Sequence, residues 1–173
     1  ESHAWTSRPL WVQGNLKPRR QRPPKPLDFN LWLGPSHPVA FRRDLHPFQW
    51  RGWWQFGCGA LGDMGPHLLD TVFEGLSLSL PTRVRAAAKD ASTHHFPKAS
   101  VVEMDVTSPN ADPFTIHWYD GGWEFPLDRI GVNRPPANGV MVIGEHGRVF
   151  IPELGGKPQL IPDSCLLYTS PSP

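Results

Sequence analysis

Cysteine is almost missing from this sequence. Cys58 and Cys165 are the only two in 173 residues, too few for a disulfide framework. Long apolar runs are missing too: nothing approaches the ~18 residues of a membrane helix. No signal peptide is visible, so the cytoplasm is the default location. Export stays open, because the chain starts at Glu1 without a methionine, inside a predicted strand (Glu1 to Trp5), and an upstream segment is expected. An excess of charge of either sign is also absent. Lys plus Arg number 17 and Asp plus Glu 16, a net charge of +1. That balance removes the general electrostatic reason to expect nucleic acid or an anionic membrane as partner. There is no internal repeat.

What the sequence has in quantity is proline (21) and tryptophan (8). Proline fixes φ without needing regular structure, so long ordered loops are expected. Eight indoles favour an aromatic core or a pocket that stacks on flat faces. Arg8 to Pro47 reads as one such loop, with a basic run of Lys17, Arg19, Arg20, Arg22 and Lys25 that reads as a solvated face. Leu31 to Pro35 is predicted to anchor it. A helix is predicted from about Gly62 to Leu76, where Leu68, Leu69, Val72, Phe73 and Leu76 recur at helical spacing and Pro66 falls in the first turn. After Pro81 the period changes to two. Val84, Ala86 and Ala88, then Val102, Met104 and Val106, then Phe114, Ile116 and Trp118 mark three strands, each apolar on one face. Gly139 to Ile143 and Arg148 to Ile151 bracket a hairpin turn. A helix followed by consecutive strands gives an α+β fold with an open, mostly antiparallel β-sheet and helices on one face. Cys165 to Pro173 continues no pattern before it and resembles the translation of a sequencing adapter. It is treated as non-native, leaving residues 1–164 as the domain.

The chemistry concentrates at Gly57 to Asp70. Four glycines and a small residue let backbone approach something flat before the helix begins. Asp63 and His67 are four apart, so in a helix they share one face. A carboxylate beside an imidazole fixes its tautomer and suits it to general-base work. The competing reading makes Asp63 an N-cap and His67 a packed side chain. His46, Cys58, Asp63, His67, His94 and His95 are metal-ligand types, but no zinc-like pair is accompanied by a second, and no metal is expected. Trp50, Trp53, Trp54 and Phe56, and then Trp118 to Trp123, supply rings on which sugars stack. Arg51, Tyr119 and Asp120 supply groups for hydroxyls. Trp118 has the inward phase of its strand and Tyr119 the opposite one.

Trp50-Arg51, the glycine-rich turn, Gly62-Asp63, His67, Asp70 and Pro81 leading into a strand together resemble the glucose–fructose oxidoreductase, inositol dehydrogenase and MocA family (Gfo/Idh/MocA). The likeness extends over most of residues 1–164. It is nearest to bacterial members with segments like Leu31 to Pro35, Trp50 to Trp54 and Trp118 to Gly122. It implies a C-terminal substrate and oligomerisation domain whose nucleotide-binding Rossmann domain, with its catalytic lysine, lies in a preceding segment. It also implies NAD or NADP as cofactor and a sugar, polyol or sugar derivative as substrate. His67 and Asp63 would be catalytic, Trp50 and Arg51 would touch the cofactor, and Trp54 and Tyr119 would contact substrate. A homo-oligomer through the sheet is expected. This piece alone would be inactive, with an aromatic surface around Trp50 to Trp54 exposed. The same family includes glycosidases that oxidise a hydroxyl transiently. A non-catalytic carbohydrate-binding protein is the third possibility.

Overall fold

The computed structural model describes residues 1–17, 19–124, 126–130, 135–153 and 156–161. The terminal segment read as non-native lies outside them. Seven strands form one sheet in the order β2-β3-β4-β1-β5-β6-β7. They are β1 (Ser2–Thr6), β2 (Arg83–Lys89), β3 (Ala99–Ser108), β4 (Ala111–Tyr119), β5 (Asn138–Ile143), β6 (Arg148–Pro152) and β7 (Gln159–Ile161). Helices α1 (Phe29–Leu33), α2 (Gly59–Gly75) and α3 (Leu127–Ile130), with a 3-10 turn at Gln49–Gly52, complete the chain. Among the described residues every strand pairing is antiparallel except β1 with β4, where Ser2 to Trp5 lie beside Ile116 to Tyr119. The α+β class and the mostly antiparallel sheet are as expected. Among the described residues no helix is long and apolar enough to cross a membrane.

The period-two pattern splits the sheet into two faces. Ala4, Val102, Met104, Ile116, Trp118 and Val140 turn one way and meet Met64, Leu68 and Val72 of α2 in the main core. Trp5, Tyr119 and Met141 turn the other way into a second cluster. Trp118 is fully buried, and its indole N–H donates to Asp120 at 2.8 Å.

Two expectations need correction. Helix α2 begins at Gly59, three residues before Gly62, so Pro66 lies inside it. The proline withholds the hydrogen bond due to the Gly62 carbonyl. Both residues are exposed, so water can take that carbonyl and the helix continues. The second concerns β2. Val84, Ala86 and Ala88 make one face of this strand apolar, and the sheet was expected to be covered on one face, yet the whole strand is exposed. It is the edge strand, with a single neighbour, β3, and alternation reports a strand's two faces without telling whether anything covers them. The predicted loop from Arg8 to Pro47 is a loop, interrupted by α1, whose Asp28 cap accepts from the N–H groups of Asn30 and Leu31.

Candidate active site

The 3-10 turn Gln49–Gly52 carries Trp50 and Arg51 and is held from several sides. The Gln49 side chain accepts from Val12 N–H at 2.5 Å, and the Gly52 carbonyl accepts from Phe96 N–H at 2.9 Å. A Cβ on Gly52 would stand 2.0 Å from the Val12 carbonyl oxygen, so only glycine lets this loop press on the turn. Just beyond it, Trp53 is buried and donates its indole N–H to the Asp44 carbonyl at 2.7 Å. His95, fully buried, lies against that indole at 4.3 Å with Nε2 3.1 Å from the Asp44 carboxylate. No local pattern announces this partly buried Asp44–His95 pair, whose members are 51 residues apart.

The turn is joined to α2 by an ion pair. Arg51 Nε lies 3.4 Å from an Asp63 carboxylate oxygen, both side chains about one-third exposed. The guanidinium also lies 4.6 Å from the ring centres of Phe48 and of Trp50. Here the structure departs from the sequence reading, which paired Asp63 with His67. Among the described residues the recorded partner of Asp63 is Arg51, and His67 is exposed with no recorded side-chain bond. A guanidinium offers a carboxylate a charge-assisted hydrogen bond, which is among the strong ones. Helical spacing still puts Asp63, His67, Asp70 and Glu74 along one outward stripe of α2, away from the buried stripe of Met64, Leu68 and Val72. Trp50, Arg51 and Asp63 are thus gathered, with His67 one turn further along.

The two residues proposed for substrate contact sit elsewhere. Trp54 is half exposed, lies 3.7 Å from the Phe96 ring and donates to the Ser92 carbonyl at 3.1 Å. With Cys58, Leu61, Gly62 and Ala86 it lines an apolar groove of about 390 Å³. Tyr119 has the outward phase expected of it, but that phase leads to the sheet face opposite α2, where it is nearly buried and its hydroxyl lies 3.2 Å from His3 Nδ1. The sheet stands between it and His67. Asp120 is committed to the fold. Its carboxylate accepts from Ser100 N–H, Ser100 hydroxyl and the Trp118 indole at 2.7, 2.7 and 2.8 Å. Burial nevertheless pushes its pKa upward against the pull of those bonds.

The glycine-rich segment has the letter spacing of a dinucleotide fingerprint at Gly57, Gly59 and Gly62, yet not its surroundings. It follows the 3-10 turn, whereas the fingerprint follows a strand. Its glycines serve internal packing: a Cβ at Gly57 would stand 2.2 Å from the Arg51 carbonyl oxygen, and one at Gly59, where φ is +64°, would stand 2.6 Å from the Phe96 ring. For a nicotinamide cofactor these residues offer one indole face and one guanidinium. They fit a contact at its edge and supply no pyrophosphate cradle.

Sequence reasoning also missed a cluster on the second sheet face. Glu1, His3 and His117 each offer a metal-ligand atom, all within 4.8 Å of one another. The pairing that creates it joins strands more than a hundred residues apart, and no local pattern announces that.

A family model described as "Oxidoreductase family, C-terminal alpha/beta domain" matches residues 2–106, which takes in β1, α1, the 3-10 turn, α2, β2 and most of β3. No curated protein matches the chain. Trp50, Arg51, Trp54, Asp63 and His67 all fall inside the match, and Tyr119 falls outside it. The matched length, more than half of the chain, together with the open sheet covered by α2, places this chain in the Gfo/Idh/MocA oxidoreductase family, as its C-terminal alpha/beta domain.

Proposed function

We propose that this domain is the substrate and proton-transfer half of an NAD(P)-dependent oxidoreductase acting on a sugar, polyol or sugar derivative. The observation that carries the proposal is the Arg51–Asp63 ion pair, which fastens the Trp50-Arg51 turn to the helix that presents His67. The bound nicotinamide supplies the hydride acceptor or donor. The chain's own residues do the rest. Trp50 and Arg51 border the nicotinamide, and the exposed imidazole of His67 takes the hydroxyl proton as the alcohol is oxidised and returns it in reduction. Asp63 orients the site through Arg51. Trp54, with its free indole face, is the better placed of the two substrate candidates. Tyr119 reaches substrate only if the opposite sheet face borders a site. That face, with Val101, Trp123, Ile143 and Phe150 packed around Trp5, Tyr119 and Met141, is the surface through which the full-length protein forms a homo-oligomer.

The test is a panel of free sugars, polyols and their acid derivatives given to the full-length protein with NAD or NADP. Steady-state formation of reduced nicotinamide is the expected result. Release of an aglycone from glycosides without net reduction would replace the dehydrogenase reading with transient-oxidation glycosidase chemistry. Carbohydrate binding without turnover would leave only a binding protein.

A further inference from the structure

We propose that Glu1, His3 and His117 form a divalent transition-metal site, zinc by preference, on the sheet face opposite the candidate active site. His3 and His117 are register partners in the parallel β1–β4 pairing, so their side chains leave the same face side by side. Their rings lie stacked with centres 4.8 Å apart. Glu1 precedes His3 by two residues and therefore points to the same face. Its backbone is pinned, since its carbonyl accepts from Ile143 N–H at 2.9 Å. The Glu1 carboxylate already lies 3.4 Å from His3 Nε2.

The surroundings of both rings fit this reading. Metal-binding imidazoles usually have the second ring nitrogen held by an oxygen, which fixes tautomer and aim. His3 Nδ1 lies 3.2 Å from the Tyr119 hydroxyl, leaving Nε2 toward Glu1. Glu103 stands 3.7 Å from His117 Nδ1 and is itself held by Arg85 at 2.9 Å. Two imidazoles and one carboxylate are a borderline-soft set that suits zinc, cobalt or nickel far better than calcium or magnesium. Zinc bonds of about 2.0–2.2 Å require the three atoms to draw closer than they now stand, the two rings fanning out of their stack. A fourth position is left for water. The ion would clamp β1 to β4, strands joined in sequence only through the whole of the intervening chain.

The test uses this chain with zinc chloride alone, then cobalt chloride, after stripping with a chelator. The expected result is one ion per chain, a melting temperature that rises with zinc concentration, and a cobalt spectrum without a thiolate charge-transfer band. Glu1→Gln and His117→Gln should each weaken uptake at least about tenfold, and Tyr119→Phe by roughly tenfold through the loosened His3 ring. Metal-free circular dichroism checks that each variant is folded. Glu1→Gln, at a partly exposed position, carries the test if His117→Gln does not fold. No uptake, uptake unchanged in the folded variants, or a thiolate band showing Cys58 as ligand would each overturn the proposal.

Discussion

Asp120 shows how a residue that reads as a sugar ligand can belong to the fold instead. Three donors converge on its carboxylate, so Asp120→Asn turns an amide N–H₂ toward a donor. It should cost about 1–3 kcal/mol in urea unfolding. The same burial raises its pKa. Between the unfolded value, about 3.9, and the higher folded one, the native state keeps a proton that the unfolded chain has lost. Stability contributed at this site therefore falls as pH rises through that window. Asp105 goes the other way: the Arg85 guanidinium and the Thr115 hydroxyl hold it below the ordinary carboxylate range. Its contribution is present above the unfolded value and is lost as pH falls through the folded one. Carbon-detected NMR titration of the two carboxyls should separate them in that order. Asp63 is a third kind of carboxylate. Its pair with Arg51 is partly exposed, so Asp63→Asn should change stability by no more than about 1 kcal/mol, measured by thermal melting, while lowering kcat of the full-length protein.

Helix α2 shows which element properties a sequence displays. Its existence and its inward stripe follow from the spacing of Leu68, Val72 and Leu76. Its start did not, because the proline rule sets a cost rather than a prohibition and an exposed carbonyl can be left to water. Gly59 marks the true start. Its positive φ and the Phe96 ring 2.6 Å from a would-be Cβ exclude any side chain without movement. Gly59→Ala is expected to lower stability by more than the roughly 1–2 kcal/mol of the left-handed backbone alone. It should also shift the fluorescence of Trp54, which rests on the same Phe96 ring. Strand β2 teaches the converse. Its alternation was read correctly, but its burial depended on sheet order, and sheet order is not a local property.

For the whole molecule, fold class was legible because α2 and the strands after it announce themselves by period, and the hairpin by its Gly144–Gly147 turn. The parallel β1–β4 pairing was not, since it joins residues such as His3 and His117 across most of the chain. The Glu1, His3 and His117 cluster, which depends on it, was hidden for the same reason, whereas the opposite phases of Trp118 and Tyr119 were legible in the alternation of β4. The candidate site was half legible: its residues were named through family likeness and the local Asp63–His67 spacing, but the Arg51–Asp63 bond that organises them was not foreseen. The second sheet face carries its own prediction. Val101→Lys, placing a charge beside Tyr119 and Trp123, should reduce the assembly state of the full-length protein in light scattering. The circular dichroism should stay unchanged.

Proton transfer at His67, next to a turn fastened by Arg51 and Asp63, is the claim on which the functional reading stands. The most direct measurement is the pH dependence of kcat for the full-length enzyme and its His67→Asn variant on an accepted alcohol substrate. A fall in kcat of about 10²–10⁴-fold is predicted, with KM little changed and the limb of the profile set by the imidazole abolished. A variant that keeps the rate and the pH profile of the parent would contradict the assignment.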